Sequence, residues 1–392
     1  MKPAHKKLLI LTLKLAVAAA LLVMIFSKVH WNNYVILKSD GSAHVVQSVT
    51  DAGVVIDNDR ERSIPFPDPL PFSALESTTN PDGTEEFVRP GFKSSLLSIH
   101  KGFVLAGVGV YFLSMIVPSI RWWYMLRIQG LNITMWAAIK LSFLGRFFDN
   151  VMPGTVGGDV FKAWHVGKQT NHKAGALLSV LADRGAGTLG LATTAGIMLA
   201  FTLLTGMDTF DRLRVPAIAI MIAFTGMIVA CAFLFSPRLR RVCRIQKLYS
   251  RTSIAHHFEA AGQAAMAYQQ NPRKLIVALL LAWLGQFFFI SSFMLLGMGL
   301  GLPTPWFSYF LYIPIIYIIG AVPLTPGGIG IIEGLFVALF AVGASSVMVL
   351  ALMGRLLPLF LSLPGLIVFL MSPKIPDAET LRHEMEDAVD ED

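Results

Sequence analysis

The sequence predicts an all-α polytopic membrane protein. About six full transmembrane helices are expected, with two re-entrant broken hairpins in inverted repeats and a small strand-containing external insert. Three observations predict this. Hydrophobic residues make up 54% of the 392 and charged residues only 15%, against about 25% charged in an average soluble chain. The missing charge is concentrated in apolar runs as long as a bilayer is thick, which marks a membrane class rather than a large soluble core. Lysines and arginines gather in short stretches beside those runs, the pattern of cytoplasmic loops. The formal net charge of +7 follows from that pattern, so no nucleic-acid partner is expected.

The elements follow in order. Lys2, Lys6 and Lys7 precede an apolar run from Leu8 to Phe26. Ser27 to Trp31 offers no small-residue cleavage site, so residues 1–26 read as an uncleaved first helix with a cytoplasmic N-terminus. Residues 27–98 differ in kind. Tyr34 to Leu37 and Val54 to Ile56 read as strands, Asp40-Gly41 as a turn, and Ile64 to Pro71 as a proline-stiffened extended stretch. The acidic excess puts this insert outside the cytoplasm, with disorder expected around Ser77 to Gly83.

Residues 99–372 form the main membrane region, with repeats at 102–204 and 275–371. Gly102 to Ile120 is a full span, and Arg121, Trp122, Trp123, Tyr124 and Arg127 mark its cytoplasmic edge. Trp136 to Phe148 is too short to cross a bilayer, which takes about 20 helical residues. It breaks at Pro153-Gly154 and returns to the basic stretch Lys162 to Lys173, so it reads as a re-entrant hairpin. Ala176 to Leu204 and Val215 to Phe235 are full spans, and the arginine-rich 237–274 is a cytoplasmic loop. Leu275 to Met298 spans again. Trp306 to Gly320 breaks at Pro323 to Gly328 and resumes at Gly334 to Val342 as a second hairpin. Ser346 to Met371 is the last span, and residues 373–392 are an acidic cytoplasmic tail.

The two hairpins carry one motif twice. Pro153-Gly154-Thr155-Val156-Gly157-Gly158-Asp159 is followed 25 residues later by Arg184. Pro326-Gly327-Gly328-Ile329-Gly330-Ile331-Ile332-Glu333 is followed 22 residues later by Arg355. Interrupted helices at matching places in two inverted halves point to a binding site near the bilayer midplane. A broken helix frees backbone N–H groups, and glycine lets a ligand approach them. An arginine at a membrane centre costs about 2.5–3.5 kcal/mol on insertion scales, so Arg184 and Arg355 need carboxylates, with Asp159 and Glu333 as the natural partners. Asp183, beside Arg184, is a simpler local partner. The expected substrate-binding set is Asn150, Pro153, Gly154, Gly157, Gly158, Asp159, Arg184, Pro326, Gly327, Gly328, Gly330, Glu333 and Arg355, with the four charges converging near the midplane. Two readings compete: buried pairs that only fix helix packing, and arginines that also hold an anionic headgroup.

Other candidates carry less. His165 and His172 lie two helical turns apart without a third ligand, Cys231 and Cys243 form no cluster, and His383-Glu384 lacks the second histidine of a zinc-protease helix. No metal, cofactor or catalytic residue is expected.

Phe148 to Asp159 resembles the first signature of the lysylphosphatidylglycerol synthase transmembrane-region family, also called the flippase-like domain family. Pro323 to Glu333 with Gly354-Arg355-Leu356-Leu357-Pro358 is similar to its second. The resemblance covers the first helix and residues 100–372, and the insert departs from the family's short connection. It implies a lipid-translocating or lipid-handling membrane region, and the two arginines point to a membrane lipid with an anionic headgroup as partner, either an anionic phospholipid or a polyprenyl-linked lipid. The flanks are too short for the soluble aminoacyl-transferase domain of two-domain members, so lysyl transfer within this chain is not expected. The alternatives are a structural membrane partner of another envelope protein, docking through the insert, and an intramembrane lipid-modifying enzyme, which no nucleophile–base set supports. The expected location is the cell (inner) membrane, multi-pass, with both termini cytoplasmic.

Overall fold

A computed structural model of the chain describes residues 29–39, 42–56, 69–79, 85–151, 157–170, 172–206, 270–322, 324–340 and 344–371, with a few isolated positions besides. The expected first helix, the span at 215–235, most of the 237–274 loop and the acidic tail lie outside the described residues.

Three strands form a small antiparallel sheet, β1 (Tyr34–Ile36), β2 (Ala43–Thr50) and β3 (Gly53–Ile56), with β2 in the centre. Val35, Leu37, Val54, Ile56, Leu70 and Leu75 bury a compact apolar core beneath it. The sequence reading passes over β2, whose side chains are half-buried or exposed and form no apolar run. Of the stretch Ser77 to Gly83, where disorder is expected, residues 80–83 lie outside the described residues, and β4 (Thr78–Thr79) pairs with β5 (Glu85–Glu86).

The helices follow: α1 (Phe92–Leu97), α2 (Lys101–Ile128), α3 (Met135–Val151), α4 (Gly157–Thr170), α5 (Lys173–Thr205), α6 (Pro272–Gly299), α7 (Trp306–Gly320), α8 (Ile331–Phe340), α9 (Ala344–Leu361) and α10 (Leu363–Met371). Among the described residues, four spans are long and apolar enough to cross a membrane: Lys101–Ile128, Gly175–Thr205, Arg273–Gly299 and Ala344–Leu370. The last is interrupted at Ser362, which divides α9 from α10. Large apolar side chains such as Leu105, Leu181, Leu280, Phe287 and Leu359 stand exposed on these helices, as lipid-facing positions do. The fold is that of a polytopic helical membrane protein carrying a small sheet.

The chain divides into two compact units, Met1–Val108 with Phe293–Tyr309 and Pro323–Arg355, and Gly109–Ser292 with Phe310–Val322 and Leu356–Asp392. In the first, the strand insert is tied to α9. The backbone N–H of His30 donates to Ser345 Oγ at 3.2 Å, that hydroxyl donates back to the His30 carbonyl at 3.1 Å, and the Ser95 and Ser346 hydroxyls meet at 2.8 Å. Val29 and Met348 are buried together there, against Phe92, Val337 and Leu352. In the second unit α2, α3, α4 and α5 share a core that includes Trp122, Leu126, Leu144, Phe148, Phe161 and Val180. The Phe148 and Phe369 rings meet edge to face at 5.6 Å, holding α10 against α3.

Candidate functional site

The first motif lies where α3 hands over to α4. Pro153 and Gly154 lie outside the described residues, and Asn150 sits in the last turn of α3. Helix α4 opens with Gly157, Gly158 and Asp159. A Cβ on Gly158 would fall inside the Gly145 carbonyl of α3, so this crossing admits only glycine. The Gly158 N–H, one of the donors that a helix start leaves without an intrahelical partner, donates to Asp149 Oδ1 at 2.9 Å. Because Asp149 caps the helix, Asp159 turns elsewhere. Its Oδ1 meets Lys162 Nζ at 2.6 Å, and its Oδ2 accepts from Nε of Arg184, which reaches across from α5. The Asp159 side chain is 9% exposed and that of Arg184 47%. Lys162 also lies over the Trp122 ring at 5.1 Å.

The second motif is built differently. Pro326–Gly328 forms a single 3₁₀ turn, and Gly327, Gly328 and Gly330 all have positive φ. At Gly327 (φ 60°) a side chain would meet only Arg355 Nη1, at 3.8 Å, so backbone conformation and not space requires glycine there. Glu333 stands in the first turn of α8 and reaches back three residues, its Oε2 accepting the Gly330 N–H at 2.7 Å. This is the glutamate half of a capping box. The other oxygen accepts Arg355 Nε at 2.5 Å, while Arg355 Nη1 donates to the Gly327 carbonyl at 3.2 Å. One arginine on α9 therefore clamps both the carboxylate and the glycine turn. The Glu333 side chain is only 2% exposed, and Arg355 Nη2 is sealed in without a hydrogen-bond partner.

Both expected carboxylate–arginine pairs thus form, each within its own motif. The suggestion that Asp183 partners Arg184 is corrected. Asp183 Oδ1 accepts Arg121 Nε at 2.6 Å, and the Asp183 carbonyl accepts Arg121 Nη2 at 3.0 Å. Adjacent residues on a helix point in different directions, so Asp183 and Arg184 must each find a partner on another helix. Arg121 does not mark the end of a span, because α2 runs on to Ile128 and buries it. Sequence reasoning also passes over Arg146 of α3, whose Nη1 reaches Ser119 Oγ at 3.4 Å. The available signal was its place inside a short apolar helix, where an ionisable side chain is costly.

No curated protein and no solved structure matches the chain. A family model described as the lysylphosphatidylglycerol synthase TM region matches residues 91–365. That stretch covers most of the 392 residues and contains both motifs, so the chain belongs to the lysylphosphatidylglycerol synthase transmembrane-region family.

Proposed function

We propose that this protein binds an anionic lipid, a phospholipid or a polyprenyl-linked one, through its phosphate and carries it between the leaflets of the cell's inner membrane. The observation that carries the reading is the first motif. A membrane-family chain holds Asp159, Lys162 and Arg184 together at the start of α4, beside a glycine crossing, and leaves the Arg184 side chain nearly half exposed. Charged groups within membrane segments are expensive, and they mark substrate pathways more often than they repay their cost in stability. Arginine suits the role because its planar fork offers a phosphate two parallel donors. Pro326 to Glu333 and Arg355 enter the proposal as a rigid turn. The family supports a membrane lipid-related role, and the anionic headgroup and the movement are our reading. The Lys/Arg distribution supports cytoplasmic termini and an external insert.

One observation favours a second, purely structural reading for the second motif. Both Glu333 oxygens and the Arg355 Nε and Nη1 are engaged by each other or by backbone, as in a packing lock, although Arg355 Nη2 is not. The test of the proposal is a leaflet assay. Purified protein is reconstituted with a fluorescent phosphatidylglycerol, and the fraction of label reached by an external quencher is followed. The proposal expects label from the inner leaflet to become accessible well faster than in empty vesicles. Movement no faster than in empty vesicles would refute it.

A further inference from the structure

Arg146 lies in α3, one turn before Asp149. The other arginines deep in the described spans are committed: Arg121 to Asp183, Arg184 to Asp159 and Arg355 to Glu333. Among the described residues Arg146 has no carboxylate within ion-pair distance. Its one hydrogen bond is the 3.4 Å contact to Ser119 Oγ, and its guanidinium lies 5.7 Å from the centroid of the Phe143 ring one turn back. Among the described residues its Nε and Nη2 make no hydrogen bond, and the side chain is half-buried. The charged groups that act on it are Asp183, Asp149 and Arg121, with the Tyr111 hydroxyl also near. Both carboxylates are already engaged, Asp183 by Arg121 and Asp149 by the Gly158 N–H.

The charge balance of this cluster points the same way. Among the described residues, Arg121, Arg146, Lys162 and Arg184 face Asp149, Asp159 and Asp183, four cations against three carboxylates. Water does not screen such an excess within membrane helices as it would at a surface. A guanidinium with open donors and an unbalanced charge fits one anion.

We propose that Arg146, assisted by the Ser119 hydroxyl, is an anion site for a single phosphate ester. It anchors the phosphate of a lipid headgroup or, as the other source of the same chemistry, a free phosphate ion. The lipid form rests on the function proposed above, and the anion site itself does not. It adds Arg146 as a phosphate contact to the Arg184 of the first motif.

The test needs no variant to begin with. The purified full chain is treated with phenylglyoxal, an arginine-selective reagent, and modification of each arginine is followed by peptide mass analysis. Additions are phosphatidylglycerol, inorganic phosphate or neutral diacylglycerol. Phosphatidylglycerol is expected to slow modification of Arg146 several-fold and diacylglycerol not at all, while the committed Arg121 stays slow throughout. Protection by inorganic phosphate alone would keep the anion site and remove the lipid form. Equal modification of Arg146 under all three additions would overturn the proposal. Arg146→Gln is then expected to weaken phosphatidylglycerol binding by about tenfold, as loss of one charge-assisted contact would. Arg146→Lys should recover part of that loss. Unchanged affinity in a folded Arg146→Gln protein would also overturn the proposal. Because both readouts report binding, they separate this site from a failure of the chain to move lipid.

Discussion

The two glycine–carboxylate–arginine motifs read almost alike in sequence, yet they do different physical work. In the second, Glu333 is both the cap of α8 and the partner of Arg355, and the arginine also pins the Gly327 carbonyl. In the first, these duties are separated. Asp149 of the preceding helix takes the backbone N–H, which frees Asp159 to hold Lys162 and Arg184 together. The second motif is the more buried of the two, its carboxylate 2% and its arginine 31% exposed, against 9% and 47% in the first. A repeated motif need not mean a repeated arrangement: in the second one carboxylate both caps and pairs, and in the first two carboxylates share the work.

The sharpest way to break this comparison is to remove the carboxylates one at a time. Glu333→Ala strands Arg355 and uncaps α8, and losing one member of a buried pair typically costs about 3–5 kcal/mol. We expect a large fall in the thermal unfolding temperature in detergent, or loss of folded protein. Asp149→Ala, which removes a single capping contact, should cost about 1 kcal/mol. Equal unfolding temperatures for the two variants would erase the distinction.

The glycines offer a second contrast, of intermediate size. Gly158 is required for space and Gly327 for its left-handed backbone. Gly158→Ala should cost about 1–3 kcal/mol through overpacking against α3, and Gly158→Asn should cost more. At Gly327 the order reverses, because asparagine tolerates positive φ better than alanine, a conformation that costs ordinary residues about 1–2 kcal/mol. Unfolding temperatures of the four variants decide it, and the same rank order at both positions would count against the assignment.

Much of this was legible in the sequence because membrane energetics leave few choices. Apolar runs had to be helices, and lone charges within them had to find partners, so Asp159–Arg184 and Glu333–Arg355 could be anticipated from spacing. What escaped was information that spacing does not encode. Arg121 sits beside tryptophans and imitates an interfacial residue, although the helix continues past it. Asp183 neighbours Arg184 in sequence but points to another helix. Strand β2 owes its place to pairing on both edges and not to a buried apolar face. The close crossing of Gly158 over Gly145 joins two residues on different helices, which no local pattern reveals.

The smallest expected effect is on pH. Burial lowers the pKa of His30, which stands outside the membrane spans and packs on Tyr34 at 4.2 Å between ring centroids. The folded state therefore binds this proton less readily than the unfolded chain. The stability it protects is fully present above the ordinary histidine value near 6.5 and declines as the pH falls through the lowered value. His30 ties the insert to α9, so the unit holding the second motif should loosen slightly in acid while the first motif does not. Hydrogen exchange at Ser345 and its neighbours, followed from pH 7 to about pH 5 across the ordinary histidine range, should rise in the parent and rise less in His30→Gln. An identical rise in both would remove His30 as the cause.

We propose that the first motif acts on lipid while the second holds structure. It is tested most directly by comparing Arg184→Ala with the parent in the reconstituted leaflet assay, alongside their unfolding temperatures. Asp159 keeps Lys162 when Arg184 is removed, so the stability change should be smaller than that of Glu333→Ala. We expect a folded Arg184→Ala protein that no longer moves phosphatidylglycerol faster than empty vesicles. A folded Arg184→Ala protein that moves the lipid at the parental rate would contradict it.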